Sequence, residues 1–83
     1  MTYSIQIEKD ALAQLKKIDQ VYQKLIIKNI DKLKIDPFIG KQLKGNWASL
    51  RRIRVSNYRV IYSIKNNELI VLILRIGHRK NVY

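Results

Sequence analysis

Between residues 50 and 62 the sequence reads LRRIRVSNYRVIY, and Arg51, Arg52, Arg54 and Arg59 crowd into it without a single carboxylate. Arginine offers a planar, permanently charged fork that pairs bidentately with phosphate or carboxylate. In a strand, residues two apart share a face. Arg52 and Arg54 therefore point one way, and Ile53 and Val55 point to the opposite, core side. In the next strand Arg59, Ile61 and Ser63 share a face, while Tyr58, Val60, Tyr62 and Ile64 share the other. A short hairpin at 56–57 would bring Arg59 close to Arg54. The chain closes on RIGHRKNVY, which adds Arg75, His78, Arg79, Lys80 and Tyr83. A purely structural strand gains nothing from repelling neighbours, so this pattern reads as a site for an anion. His78 is the lone histidine; an unperturbed imidazole titrates near pH ~6.5 and can give or take a proton.

The charge balance agrees. Seventeen Lys and Arg stand against six Asp and Glu, a formal net charge of +11. Residues 1–36 hold seven lysines and five acids (Glu8, Asp10, Asp19, Asp31, Asp36), a net of +2; residues 37–83 hold four lysines, all six arginines and only Glu68, a net of +9. So steep an asymmetry within one domain points to an electropositive face for a polyanion or an acidic protein. A charge serving solubility alone would be spread evenly, with compensating acids. Beyond residue 36 Glu68 stands alone, so no acidic cluster is on offer for a divalent metal.

With 83 residues the chain is read as one domain, residues 1–83, able to close one compact core. There is no cysteine, so neither a disulfide framework nor a thiolate metal site is available. No apolar run approaches the roughly 18 to 20 residues that span a bilayer, and the alternating, charged start MTYSIQIEKD is not a signal peptide. These features are compatible with a cytoplasmic protein that has no membrane partner.

The elements that must position the arginines can be read from periodicity. YSIQI (3–7) alternates as a strand. Ala11, Leu12, Leu15 and Ile18 recur at helical spacing over Asp10 to Ile18. Asp19 resembles the N-cap of a second helix striped by Tyr22, Leu25, Ile26, Ile30 and Leu33. Asp36-Pro37 stops it, because the residue before proline avoids helical ψ. Residues 37–48 read as a loop, tacked to the core by Phe38, Ile39, Leu43 and Trp47. Three strands follow at about 49–55, 58–64 and 68–76, joined by turns at SN (56–57) and KNN (65–67), where asparagine tolerates positive φ. ELIVLILRI reads as a central strand buried on both faces, with Gly77 free to turn the backbone after it. The order β-α-α-β-β-β predicts an α+β fold: an N-terminal strand, an antiparallel helical hairpin and a three-stranded antiparallel meander in a mainly antiparallel sheet.

That order, the P-x-x-G-x-x-L-x-G spacing from Pro37 to Gly45, RIRVSNYRVIY and the terminal IGHRKNVY together resemble RelE/ParE-type toxins of toxin–antitoxin systems, from Tyr3 to Tyr83. The most specific segments are YRVIY and GHR…VY, and they are more similar to the RelE branch, whose members cut mRNA in the ribosomal A site. ParE-like members share the fold and inhibit DNA gyrase. The resemblance implies a cytoplasmic, metal-free and cofactor-free endoribonuclease that acts with the ribosome on mRNA and is neutralised by a RelB-like antitoxin wrapping its basic face. It also assigns positions. Arg52 and Arg54 match two basic strand positions usually occupied by lysine, Arg59 the arginine of the YR pair, Arg79 that of the G-x-R segment, and Tyr83 the terminal tyrosine. His78 stands where other members carry Lys or His.

Metal-free RNA cleavage starts with attack of the 2′-OH on the adjacent phosphate and ends in a 2′,3′-cyclic phosphate and a 5′-OH. It needs a group to take the 2′-OH proton, charge to stabilise the phosphorane and a donor to the leaving oxygen. Arg59 and Arg79 suit the second task. Arg52 and Arg54 are phosphate contacts rather than bases, since a guanidinium pKa above ~12 disfavours deprotonation. His78 and Tyr83 are the candidates for proton transfer; a solvated histidine and a tyrosine packed on the sheet are their plainer readings. Arg51, Arg75 and Lys80 extend the field along which RNA would lie, and Trp47 reads as a packing anchor. Two other readings share these residues: a ParE-like gyrase inhibitor without nuclease activity, and a catalytically weak toxin acting through antitoxin–DNA complexes.

Overall fold

A computed structural model describes residues 2–78. Its elements are β1 (Ser4–Ile7), α1 (Lys9–Lys16), α2 (Gln20–Lys32), β2 (Lys41–Gln42), β3 (Leu50–Val55), β4 (Tyr58–Lys65) and β5 (Ile70–His78), with short 3₁₀ turns at Pro37–Ile39, Gly45–Trp47 and Asn66–Glu68. They form one five-stranded sheet in the order β1-β5-β4-β3-β2. Only β1, parallel to β5, departs from antiparallel pairing. The architecture is the expected α+β one.

The helices cover one face of the sheet. Ala11 and Leu15 of α1 and Ile26, Ile30 and Leu33 along α2 interlock with Val55, Val60, Tyr62, Val71, Ile73 and Ile76 in one buried cluster. Both helical stripes keep the i, i+4 spacing that places side chains on one side of a helix. Asp19 does occupy the N-cap position of α2, although its side chain makes no capping hydrogen bond. After α2, the Asp36 carboxylate accepts the Phe38 N–H at 3.1 Å and opens the proline-led 3₁₀ turn.

One joint governs the shape of the site. β1 ends at Ile7 opposite Ile73, yet β5 runs on to His78. Past that point α1 takes the place of a strand at the edge of β5: Gln14 Oε1 accepts the Ile76 N–H at 2.9 Å, and the Glu8 N–H donates to the Ile73 carbonyl at 2.9 Å. This satisfies an edge amide that would otherwise be orphaned, and it brings the first turn of α1 to the rim of the uncovered face.

Several local expectations are corrected. The loop at 37–48 contains the two-residue strand β2, too short to leave a periodic signal. The 65–67 turn is a 3₁₀ turn over Asn66–Glu68 that ends on Leu69 at φ 55°, so β5 starts at Ile70 rather than 68. Gly77 does not end the strand; it sits within β5 opposite Arg59. Nor is β5 buried on both faces, because Val71, Ile73 and Ile76 are buried under the helices while Leu72 and Leu74 remain half-buried on the other side.

At the β3–β4 hairpin the positive φ falls on Ser56 (57°) rather than Asn57. A side chain is disfavoured there by Cβ crowding, which glycine lacks. Ser56→Gly is therefore expected to raise stability by about 0.5–1 kcal/mol, read as an increased denaturant midpoint at unchanged slope.

A basic face built across four strands

The register places the arginines. Directly opposed residues share a face, and two rows cross the side of the sheet away from the helices. The first runs Lys41–Arg52–Ile61–Arg75 over β2, β3, β4 and β5; the second runs Arg54–Arg59–Gly77 over β3, β4 and β5. Adjacent strands lie about 4.8 Å apart, so Arg59 has Arg54 at its side. On its other side lies Gly77, which contributes no side chain. Arg52 and Arg59 are half-buried, while Lys41, Arg54 and Arg75 are exposed. The ion pair recorded between described residues, Lys34–Asp31 at 3.4 Å, lies on α2 and its C-terminal end, away from this face.

Like charges opposed across a strand pair destabilise by about 0.2–1 kcal/mol. Arg54→Gln is thus expected to stabilise the free protein by that order while weakening anion binding, and added salt should narrow the stability gap by screening the repulsion. Denaturant midpoints at low and high salt check both statements.

The remaining positions divide. Arg75 joins Arg52, Arg54 and Arg59 on the open face. Arg51 does not: it lies opposite Tyr62, on the helix side. Its Nη1 donates to the Gly40 carbonyl at 2.8 Å and the Phe38 carbonyl at 3.4 Å, and its Cζ stands 5.2 Å from the Phe38 ring centroid. Arg51 therefore clamps the 37–40 turn, a role its place in the arginine run hides. His78 is opposite Tyr58 and meets that ring edge-on, with centroids 5.9 Å apart at 75°. Tyr58 in turn meets Tyr22 of α2 at 5.5 Å. This aromatic row belongs to the helix side, so His78 is not brought together with Arg52, Arg54 and Arg59. Arg79, Lys80 and Tyr83 lie outside the described residues.

Two residues of the open face escaped the sequence reading. Lys41 extends the first row, but a two-residue strand gives no alternation by which to assign its face. Trp47, read as an anchor, is 50 % exposed. It lines two clefts of the open face: one of about 270 Å³ floored by Leu50, Ile61 and Leu74, and one of about 300 Å³ edged by Lys41, Lys44 and Arg52. An exposed tryptophan beside a row of arginines was a usable signal.

The turn carrying β2 is fastened from behind. The Tyr62 ring is fully buried, its hydroxyl donates to the Pro37 carbonyl at 2.7 Å and accepts the Gly40 N–H at 3.0 Å. Burial pushes the Tyr62 pKa above the ordinary 10.0, against the lowering effects of the Gly40 hydrogen bond and the Arg51 charge. Tyr62 and Arg51 thus hold Pro37–Gly40 from the helix side, and β2 leaves that turn to bring Lys41 beside Arg52.

Comparison with known proteins then settles the family. The chain matches the model for the ParE toxin of the type II parDE toxin–antitoxin system over residues 5–83. It belongs to the ParE toxin family. An Escherichia coli protein described as RelE-like is 27% identical over 82 residues, covering 96% of this chain and 86% of that one. Among solved structures, the RelBE2 toxin–antitoxin complex of Mycobacterium tuberculosis superposes with TM-score 0.88 at 26% identity, covering 95% of this chain and 100% of that one. The RelE–RelB complex of Pyrococcus horikoshii gives 0.76 at 25% identity over 99% and 100%. An Escherichia coli RelE mutant in the free state shares the fold, at 0.83 and 22% identity over 96% and 86%. The protein is thus a toxin of the RelE/ParE superfamily. Among its described residues no helix is long and apolar enough to cross a membrane.

Proposed function

We propose that this toxin is a ribosome-dependent endoribonuclease that cuts mRNA in the A site and is neutralised in the cytoplasm by a RelB-like antitoxin. The observation that carries the reading is the pair of basic rows, in which Arg54 and Arg59 face each other across β3 and β4. Such repulsion is retained where an anion is to be bound.

In this reading the 2′-oxygen attacks phosphorus, a pentacovalent phosphorane forms, and the P–O5′ bond breaks to give a 2′,3′-cyclic phosphate and a free 5′-OH. Arg59 holds a non-bridging oxygen as its charge grows. Arg52 and Arg54 hold the flanking phosphates. The 2′-OH proton and the leaving-oxygen proton fall to groups at the C-terminal end, Tyr83 and His78, the latter acting from the helix side at the end of β5; Arg79 shares the charge-stabilising task with Arg59. The ribosome supplies substrate alignment, which offsets weak acid–base groups. Its RelE-type structural relatives were solved with RelB partners, which supports an acidic antitoxin for a chain of net charge +11.

A gyrase-inhibiting toxin is the second reading, and the match to the ParE model favours it. The two separate in one paired assay. The nuclease reading predicts arrest of a purified translation system with no effect on gyrase supercoiling; supercoiling inhibition without translational arrest would decide for the other.

A further inference from the structure

Trp47 sits at the tip of the β2–β3 hairpin, and the hairpin is built to hold it there. The Leu43 N–H donates to the Leu50 carbonyl at 3.0 Å, Gln42 Nε2 donates to the Ala48 carbonyl at 2.7 Å, and Gly45 takes φ 64° to start the turn. An indole held by a fastened turn, half exposed, on the face that carries the arginines is suited to stacking.

The surroundings are asymmetric. On one side lies the cleft edged by Lys41, Lys44 and Arg52, all cationic. On the other lies the cleft with the apolar floor Leu50, Ile61 and Leu74, lined also by Arg75, by Glu8 at the N-cap of α1 and by Asp10 in its first turn. Ile61 is only 2% exposed although it points away from the helical core cluster, so its cover comes from this face. Two of the chain's six acids therefore rim a cleft on its most basic surface. Carboxylates there repel a phosphate. They accept hydrogen bonds from the amino group of adenine, cytosine or guanine, and they oppose the carbonyl oxygen that uracil presents instead.

We propose that this cleft holds one unstacked RNA base, its ring on Trp47 and its exocyclic amino group against Glu8 or Asp10, while the backbone leaves across Lys41, Lys44 and Arg52. The inference rests on the nuclease reading and adds to it a base-recognition site and a preference for amino-bearing bases over uracil at that position.

Trp47 is the single tryptophan, so its emission reports the cleft directly. Titration with adenine and cytosine tetranucleotides is expected to quench it saturably, and the uracil tetranucleotide to bind more weakly. Trp47→Leu is expected to weaken adenine tetranucleotide binding, measured by polarisation of a labelled oligomer, roughly tenfold or more. The double variant Glu8→Gln, Asp10→Asn is expected to keep the quenching and lose the discrimination against uracil. Circular dichroism and melting curves matching the wild type show that both variants are folded. Oligonucleotide binding that leaves the emission unchanged, or uracil discrimination that survives in the double variant, would overturn the proposal. Cleavage by the wild-type toxin on ribosomes is scored in parallel. Cleavage present with those negative results sinks the base site alone, whereas absent cleavage sinks the nuclease reading itself.

Discussion

Arg59→Ala is expected to lower ribosome-dependent cleavage about 100- to 1,000-fold, the usual effect of removing one fixed donor aimed at charge that develops in the transition state. The position explains the size. Arg59 lies in the middle strand of the second row, between Arg54 on β3 and the side-chain-free Gly77 on β5. Arg54 is exposed at the hairpin end, and its loss is expected to weaken binding more than it slows the chemical step. Arg59→Lys should recover part of the rate, since it restores the charge without the bidentate fork. Single-turnover cleavage on programmed ribosomes, with melting curves to confirm folding, checks the order wild type, Arg59→Lys, Arg59→Ala.

The second large effect concerns stability. Tyr62→Phe removes a hydroxyl that joins the Gly40 N–H and the Pro37 carbonyl, leaving two backbone groups without that partner at about 1–3 kcal/mol. Gly40→Ala acts on the same contact from the other side. A Cβ there would collide with the Tyr62 hydroxyl and stand 2.7 Å from the Arg52 carbonyl oxygen. With backbone on one side and a buried ring on the other, overpacking costs about 1–3 kcal/mol. Either loss should lower the melting midpoint by roughly 4–8 °C per kcal/mol for a domain of this size. Because the contact shares the Arg52 strand, Gly40→Ala should also weaken anion binding, whereas Tyr58→Phe should leave both nearly unchanged.

The same tyrosine gives a pH signature. Its folded-state pKa is raised above 10.0 by burial, so the folded protein resists losing that proton more than the unfolded chain does. The stability it contributes is complete below pH 10 and falls away as pH climbs through the raised value. Tyr62→Phe should flatten the alkaline limb of the stability profile, measured by denaturant unfolding between neutral pH and pH 11 or so.

The fold was legible because its long elements carry strong periods. The α2 stripe and the alternation of β3 and β4 leave little choice of face, and that alone put Arg52, Arg54 and Arg59 together. Short-range rules failed where tertiary contacts decide. β2 has two residues and no pattern, so Lys41 was missed. Leu69 and Ser56 adopt positive φ where asparagine was expected. Gly77 stays extended because β4 pairs with it through Arg59. Within the site, alternation was a better guide than crowding. Arg51 is one residue out of phase with Arg52, and that single step carries it to the helix side, where Phe38 and Gly40 hold it. In β5 alternation alone fails, because a register shift opposite Ile61 and Tyr62 moves Ile76 and His78 to the helix side, where His78 lies opposite Tyr58. Trp47 was undervalued because large aromatics in loops are usually anchors, and only the two clefts beside it reveal otherwise.

The most direct measurement is to map mRNA 3′ ends on translating ribosomes after adding the purified toxin, with chemical detection of the terminal phosphate. The account predicts cuts within the A-site codon ending in a 2′,3′-cyclic phosphate, absent without ribosomes and lost in Arg59→Ala. Folded wild-type toxin that leaves the message intact would contradict it.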